Sequence, residues 1–418
     1  MDPVNVIILA VGSELLTPFH QDTNSLYLTR RLNDLGLDVS EKIIVGDEFE
    51  NLGKAFRKAR EEADLIFVTG GLGPTDDDRT REAVSSVLKR PLEFREDILR
   101  TIEERFLRRG KTMPAANRKQ AEVIRGAEVL PNSAGTAPGL WIEDEAKIIV
   151  LLPGPPPELQ SIFETQVRTR LAGRERAFLV RRVLKTSGLT ESEVESLIEG
   201  LYPRDPARRL TILASPGQIE LHVSAFSGVS AAEAERQADA LTSELGRRLG
   251  PAVFSADGSD LETVVGRLLS ARKETVAVAE SCTGGLVCRR LTRIPGSSTY
   301  FREGFVTYAN QAKIDRLGVP ARTIESFGAV SPETAAAMAE GVRHVAGADY
   351  GLAVTGIAGP SGGTAEKPVG LVFCAVADAE ATRLEHSLFL GDRTRVQDQS
   401  SQKVLDMLRR FLEEKSSR

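Results

Sequence analysis

Ala279-Glu280-Ser281-Cys282-Thr283-Gly284-Gly285 lies between an apolar run that ends at Ala279 and an amphipathic run that begins at Leu286. This order predicts a β-strand that turns into an α-helix, with Ser281 as the cap of the turn. The serine would then face the positive end of the helix dipole and the unpaired N–H groups of the first helical turn. Nucleophiles and oxyanion-binding groups are favoured at such turns, so the stretch predicts an α/β fold and a site within it.

A second segment, Gly304-Phe305-Val306-Thr307-Tyr308-Ala309-Asn310-Gln311-Ala312-Lys313, predicts another strand that leads into a helix. It would deliver Tyr308, Asn310 and Lys313 together at the carboxyl end of that strand. A neutral lysine can activate a serine, so Ser281 with Lys313 predicts hydrolysis without a metal. The lysine pKa would have to fall by roughly three units from its free value of ~10.4.

A third element of this region is the glycine-rich loop 356–364, which follows an apolar run at 350–355. Phosphate-binding loops also follow strands, although this one matches neither a Walker pattern nor G-x-G-x-x-G. Arg393 is a candidate both for a phosphate contact and for a positive charge that lowers the pKa of Lys313. The candidate substrate-binding residues are Thr283, Gly284, Gly285, Asn310, Gly356, Ala358, Gly359 and Arg393.

Each of these residues also has an ordinary structural explanation. Ser281 would be a simple helix N-cap, and Tyr308 would pack in the core. Lys313 would be a solvated helix residue, and Arg393 a surface residue at the start of a helix. Three coincident features at strand ends of one domain nevertheless favour a site.

The first part of the chain alternates apolar runs of strand length with helical patterns, which predicts a doubly wound parallel sheet. The strand predicted at 65–69 opens onto Gly70-Gly71-Leu72-Gly73-Pro74-Thr75-Asp76-Asp77-Asp78. Ligands of such sheets bind where the strands end. Asp78 would cap the next helix while the other acids are solvated. The alternative is a site for Mg²⁺ or a similar divalent cation, formed by four acidic residues: Asp76, Asp77, Asp78 and Glu14.

The middle of the chain predicts a small α+β domain. Strand 178–185, helix 191–201, a hairpin around 215–218 and helix 231–249 follow one another, and Thr190 with Glu193 forms a capping box. This region has no excess of basic residues and no G-x-x-G loop, so RNA binding is not indicated. A spacer or dimerisation role is the simpler interpretation.

Composition limits the function further. With 418 residues the chain should form two or three domains, predicted at 1–171, 176–252 and 259–418. The linkers would be Ala172-Gly173-Arg174-Glu175 and Ser255-Ala256-Asp257-Gly258-Ser259. A net charge of −5 argues against nucleic acid or a membrane surface as partner, which leaves small molecules. Three cysteines without C-x-x-C spacing indicate a reducing cytoplasm.

These motifs resemble those of the CinA family (competence/damage-inducible protein A) across essentially the whole chain. The resemblance is specific at G-G-L-G-P-T-x-D-D in residues 70–78, at A-E-S-C-T-G-G in 279–285, and at G-F-V-T-Y-x-N-x-x-K in 304–313. It implies a molybdopterin-binding-like N-terminal domain, a middle domain similar to a KH fold, and a C-terminal α/β/α nicotinamide-nucleotide amidohydrolase domain. It also suggests a homodimer.

The resemblance further implies that Ser281 is the nucleophile and that Tyr308 and Lys313 assist it, with no cofactor. The reaction would convert nicotinamide mononucleotide to nicotinate mononucleotide and ammonia, with the N–H groups of Thr283 and Gly284 holding the oxyanion.

For the N-terminal domain the resemblance suggests metal-dependent hydrolysis of ADP-ribose. Thr17-Pro18-Phe19-His20 and Asp76 depart from the usual family pattern. A pterin- or nucleotide-binding module without catalysis is therefore the alternative for this domain.

Overall fold

The structure is a computed structural model that describes residues 4–171, 178–205 and 207–416. The chain divides into two compact units, Met1–Val180 with Phe226–Ala234, and Arg181–Ala225 with Glu235–Arg418. The linker predicted at residues 172–175 lies outside the described residues. Across the described ranges, no helix has both the length and the apolar character needed to span a bilayer.

The N-terminal region is built on a six-stranded sheet with the order β2-β1-β3-β8-β7-β6. Its strands, together with the separate pair β4 and β5, are β1 (Val6–Val11), β2 (Val39–Val45), β3 (Leu65–Thr69), β4 (Leu92–Phe94), β5 (Glu122–Ile124), β6 (Glu128–Leu130), β7 (Gly139–Asp144) and β8 (Lys147–Leu152). Its helices are α1 (Thr23–Asp34), α2 (Phe49–Glu62), α3 (Thr80–Leu88), α4 (Glu96–Arg108), α5 (Pro156–Ile162) and α6 (Arg168–Leu171).

Strand β1 shows why this sheet is covered on both faces. All six of its residues are buried, and successive side chains point to opposite sides of the sheet. Ile7 and Leu9 join a core with α2, α3 and α4, whereas Val6 and Ile8 join a second core with α1 and α5. The predicted doubly wound arrangement is therefore confirmed. The strands β2, β1, β3 and β8 are parallel, and β7 and β6 add an antiparallel edge.

The middle region is a four-stranded sheet with the order β10-β11-β9-β12 and two helices. Its elements are β9 (Phe178–Ser187), α7 (Glu191–Leu197), β10 (Arg208–Ser215), β11 (Gln218–Ser227), α8 (Ala231–Leu249) and β12 (Val253–Ser255). The capping box is present, since Thr190 and Glu193 each bond the backbone N–H of the other. Helix α7 ends at Leu197, four residues earlier than the predicted end at Leu201.

The C-terminal region contains a five-stranded sheet with the order β14-β13-β15-β16-β17. Its strands are β13 (Val276–Glu280), β14 (Phe301–Val306), β15 (Tyr350–Gly356), β16 (Leu371–Ala377) and β17 (Thr382–Leu388). Its helices are α9 (Leu261–Arg272), α10 (Leu286–Thr292), α11 (Asn310–Leu317), α12 (Ala321–Phe327), α13 (Pro332–Ala346) and α14 (Arg393–Ser416). Strands β14, β13 and β15 run parallel, so their carboxyl ends meet at one edge.

Small residues let helix α13 approach this sheet closely. The residues of β13 that face α13 are Ala277 and Ala279, whereas Val276 and Val278 face the core formed with α9, α10 and α14. A Cβ on Gly351 would lie only 2.0 Å from the carbonyl oxygen of Ala339 in α13. The sheet is thus sandwiched between two helix layers, as the α/β/α prediction requires.

Candidate active site

Ser281 is held at the carboxyl edge of the three parallel strands. It follows β13 directly, and its N–H donates to the carbonyl of Val354 in β15 at 2.9 Å. On the other side, the N–H of Thr307, which follows β14, donates to the carbonyl of Glu280 at 2.8 Å. Ladder bonds from both neighbouring strands therefore fix the backbone on which the serine sits.

The predicted role of Ser281 as a helix cap is wrong. Helix α10 begins at Leu286, and it is the carboxylate of Glu280 that accepts from the first helical N–H groups. The donors are Gly285 at 2.9 Å, Val287 at 3.1 Å and Cys288 at 2.8 Å. Glu280 is fully buried, so its charge occupies the positive end of the helix and the serine does not.

The glycines after the serine are required by the shape of the turn. Gly284 and Gly285 have φ values of +62° and +102°, a left-handed region that favours glycine. The N–H of Gly284 donates to the carbonyl of Ser281 at 3.2 Å, which occupies a group predicted to hold the oxyanion. The N–H of Thr283 has no hydrogen-bond partner within the described part of the chain, so it remains the predicted oxyanion donor.

Lys313 lies beside the serine in a buried position. Its side chain on α11 is 1 % exposed, and Nζ lies 3.1 Å from Ser281 Oγ. The same nitrogen donates to the carbonyls of Thr307 at 2.8 Å and Tyr308 at 3.3 Å. None of the ion pairs among the described residues includes Lys313, and its burial lowers the pKa of its ammonium group. A neutral amine fits these partners, because two N–H groups can face the two carbonyls while the lone pair faces the hydroxyl.

Arg393 does not act on Lys313 as predicted. Its guanidinium donates to the carbonyl of Gly359 at 2.9 Å and to the hydroxyl of Tyr308 at 2.7 Å. The pKa of Lys313 is therefore lowered by burial, and Arg393 is not a cause. The Tyr308 side chain is 59 % exposed, which rules out core packing, and its hydroxyl contacts Arg393.

The other predicted substrate contacts differ in how available they are. Asn310 is the exposed first residue of α11. Gly356 serves packing, because a Cβ there would lie 2.6 Å from Val372 Cγ2 in β16. Ala358 is 4 % exposed, so its side chain is turned into the core. Of the loop positions, Gly359 is the one tied to Arg393.

Two residues beside the serine help to define the site. Cys282 is 4 % exposed, and burial raises the pKa of its thiol to about 12, so it is a poor competing nucleophile at neutral pH. Its carbonyl accepts from Gln397 Nε2 of α14 at 2.8 Å. No local sequence signal predicts this role of Gln397, because Gln397 and Cys282 are 115 positions apart.

The predicted acidic cluster of the N-terminal region borders a cleft of about 490 Å³. Glu14, Asp77 and Asp78 line it together with the backbone of residues 70–73, whereas Asp76 does not. The buried Arg81 shapes this loop, since its guanidinium donates to the carbonyls of Leu72 at 2.9 Å and Gly73 at 3.2 Å.

The acids predicted to bind a divalent cation either face solvent or bond to the loop. Asp78 accepts from the N–H and hydroxyl of Thr75 at 2.9 and 2.5 Å, as expected of a carboxylate that stabilises a turn. Asp77 is exposed, and a hydrogen bond from Thr75 lowers the pKa of its carboxyl group. Among the residues with described positions, no three His, Cys, Asp or Glu side chains converge as metal ligands. The four acids are therefore solvated or held by the loop.

Three family models match successive parts of the chain. Residues 7–173 match the "Probable molybdopterin binding domain", residues 181–255 the "Damage-inducible protein CinA KH domain", and residues 258–412 the "CinA C-terminal domain". A CinA-like protein of Koribacter versatilis is 46 % identical over 410 residues, which cover 97 % of this chain and 99 % of that protein. The chain belongs to the CinA family. The resemblance inferred from the motifs is thus confirmed, together with the three-part fold class.

A second full-length relative and one solved structure are also similar to this chain. A CinA-like protein of Solibacter usitatus is 44 % identical over 408 residues, 96 % of this chain and 97 % of that protein. Among solved structures, the competence/damage inducible protein CihA of Agrobacterium tumefaciens is 42 % identical, with a TM-score of 0.35. The match covers 37 % of this chain and 96 % of the CihA chain.

Proposed function

We propose that the C-terminal domain hydrolyses the carboxamide of nicotinamide mononucleotide to nicotinate mononucleotide and ammonia. The observation that carries this proposal is the 3.1 Å separation between Ser281 Oγ and the buried Nζ of Lys313. A lysine with a lowered pKa can take the hydroxyl proton near neutral pH, which a solvated lysine cannot do. The neighbouring Thr307 and Tyr308 carbonyls hold the amine in the orientation that this transfer needs.

In the first half of the reaction, Ser281 Oγ attacks the amide carbon while its proton passes to Lys313. The amide oxygen becomes an oxyanion, and the N–H of Thr283 is the donor that we propose for it. Lys313 then gives the proton to the amide nitrogen, the C–N bond breaks, and ammonia leaves. The product is a nicotinoyl ester on Ser281.

In the second half, Lys313 is neutral again and accepts a proton from water. The resulting hydroxide attacks the ester carbon, and Lys313 returns the proton to Ser281 Oγ as the ester bond breaks. Nicotinate mononucleotide leaves, and the enzyme is restored. No group beyond the chain and water takes part.

Recognition of the nucleotide falls to the groups around the serine. Arg393 presents a guanidinium between Tyr308 and the Gly359 loop, and a phosphate can replace the Gly359 carbonyl as its partner. The exposed Asn310 side chain can serve the ribose. Tyr308 then acts chiefly by holding Arg393 in place.

For the N-terminal cleft we propose binding of a pterin or nucleotide. Its glycine backbone and its volume of about 490 Å³ suit such a ligand. Metal-dependent ADP-ribose hydrolysis has less support, since the described acids do not form a cation site. Incubation of the full chain with ADP-ribose, with Mg²⁺ and with excess chelator, separates the two, because Mg²⁺-dependent cleavage would favour catalysis.

The test of the amidase proposal measures ammonia and nicotinate mononucleotide formed by Ser281→Ala. We expect a loss of at least about 10³-fold in kcat, because the nucleophile is removed. Cys282→Ala is the matched control: it deletes the neighbouring buried nucleophile, and activity should stay within about threefold, since the thiol remains protonated. Full turnover by Ser281→Ala, or loss only in Cys282→Ala, would refute the serine mechanism.

A further inference from the structure

A second cavity in the N-terminal unit adjoins the cleft lined by residues 70–73, which is called the glycine-rich cleft below. Its volume is about 710 Å³, larger than that of the cleft. It lies between α4, the segment 129–138 and residues Thr165 and Gln166. Thr136 borders both cavities, but none of the residues predicted from sequence lines this one.

The floor of this cavity is apolar. Ile98 and Ile102, which are 8 % and 2 % exposed, lie one helical turn apart on the inner face of α4. Val129, Pro131 and Pro138 complete the apolar lining. Small-molecule sites are typically concave, of about 300–1,000 Å³ and mostly apolar, with a few polar groups that orient the ligand. The cavity fits that description.

The mouth of the cavity carries positive charge. Arg105, Arg108 and Arg109 line it against a single carboxylate, Asp97, which is already paired with Arg95 at 2.7 Å. Arg108 is 77 % exposed, and its ion pair with Glu104 is loose at 3.7 Å. Cations are favoured at the C-terminal end of any helix, but that preference does not explain their position at the mouth of a cavity with an apolar floor.

One wall of the cavity is preformed by Asn132. Its side-chain oxygen accepts from the N–H groups of Ala134 at 3.0 Å and Gly135 at 2.8 Å. Its amide nitrogen donates to the carbonyl of Ala137 at 2.8 Å. Arg105 adds bonds to the carbonyls of Asn132 and Ser133 at 3.2 and 3.0 Å. Because these bonds already hold the wall in place, a ligand does not have to order it on binding. The lower entropy cost favours affinity.

We propose that this cavity binds a mononucleotide. The base packs on Ile98 and Ile102, and the phosphate lies between Arg108 and Arg109, whose guanidinium groups suit phosphate geometry. Thr101 and Ser133 line the space left for the sugar, and their hydroxyl groups now bond the Asp97 carbonyl and the Ser161 hydroxyl, each at 2.9 Å. This inference is independent of the amidase proposal and of the occupant of the glycine-rich cleft.

The test uses isothermal titration calorimetry of the full chain with AMP, and with inorganic phosphate as the probe that lacks a base. We expect saturable AMP binding that weakens by roughly tenfold in Arg108→Ala/Arg109→Ala, because both phosphate contacts are lost. Thr101→Trp should also weaken binding, since the new ring takes up part of the space next to Ile98 and Ile102. Arg100→Ala is the matched control on α4, exposed and outside the cavity, and it should bind AMP as the wild type does.

Three results would overturn the proposal. The first is absence of AMP binding by the wild type, and the second is unchanged affinity in the double arginine variant. The third is phosphate binding as tight as AMP binding, because the apolar floor would then contribute nothing. If Thr101→Trp fails to fold, the arginine pair decides, since both of its side chains are exposed. A loss of AMP affinity in Arg108→Ala/Arg109→Ala assigns the signal to this cavity, because neither arginine lines the glycine-rich cleft.

Discussion

The C-terminal site and the N-terminal cleft both form where the strands of an α/β sheet end, but they differ in the burial and the partners of their ionisable side chains. Lys313 is 1 % exposed and has no carboxylate partner among the described residues. Asp77 is exposed, and Asp78 is satisfied by Thr75 three residues away. Burying an unpaired ionisable group destabilises a fold, so such a group indicates chemistry. Solvated acids in a turn carry no such cost, and the cleft is the better candidate for binding alone.

The largest effect is expected when the contact between Ser281 and Lys313 in the C-terminal site is broken. Lys313→Met should lower kcat for nicotinamide mononucleotide by about 10³-fold, because general-base catalysis is lost. Lys313→Arg should do the same, since a guanidinium stays charged. Steady-state ammonia release measures both, and Lys273→Met, an exposed lysine outside the site, is the control. If Lys313→Met keeps its activity within tenfold of the wild type, Lys313 is not the general base. The C-terminal site would then have no more support for catalysis than the N-terminal cleft.

The second effect tests the buried carboxylate beside the serine. Glu280→Gln should lower the free energy of unfolding by about 3 kcal/mol, because a charged acceptor for three backbone N–H groups is replaced by one amide oxygen. Urea unfolding followed by circular dichroism measures the change. Glu303→Gln, on the exposed face of β14, should change it by less than about 0.5 kcal/mol. Equal effects at the two positions would contradict the role assigned to Glu280.

The third prediction concerns pH. Burial lowers the pKa of Lys313 from its ordinary value of 10.5, so the neutral base is populated at a lower pH than for a free lysine. Below that pKa, kcat/KM should rise about tenfold per pH unit and then level off. The unfolded chain holds this proton to higher pH than the folded chain does. The free energy of unfolding of the wild type should therefore rise with pH relative to that of Lys313→Met. A pH–rate profile that is flat would show that Lys313 does not act as the general base.

The smallest effect belongs to the N-terminal cleft. Asp78→Asn should destabilise the protein by about 1 kcal/mol, because only local bonds to Thr75 are weakened. Asp76→Asn, at an exposed position outside the cleft, is the control and should have no measurable effect. Thermal unfolding in the presence and absence of Mg²⁺ checks both. A Mg²⁺-dependent rise in Tm that Asp78→Asn removes would restore the metal interpretation and narrow the contrast between the two regions.

Much of the fold could be predicted because periodic patterns are local. Helix α8 matches its predicted bounds, and the Thr190 capping box is present. The region between α3 and β7 was not predicted, since β4, β5 and β6 have three residues each and show no clear period. Helix α4 lies in the same region, and the spacing of Ile98, Leu99 and Ile102 was a usable signal for it.

The candidate site could be predicted only in part, for a related reason. The motifs containing Ser281 and Lys313 were recognisable because each lies at a strand-to-helix turn. The contacts of Glu280 and Gln397 were not, since a carboxylate after a strand has many alternative partners and Gln397 comes from a distant helix. The link between Arg393 and Tyr308 joins residues 85 positions apart, and no local pattern predicts it.

The sequence by itself determined which residue types stand at the ends of the strands, because strand, turn and helix preferences act over a few neighbouring residues. Only the tertiary structure decided what those residues can do. Solvent is excluded from Lys313 by several elements that are distant in sequence, and its pKa depends on that exclusion. The same packing places the Glu280 carboxylate at the N-terminal end of α10 and leaves Ser281 Oγ beside the amine of Lys313.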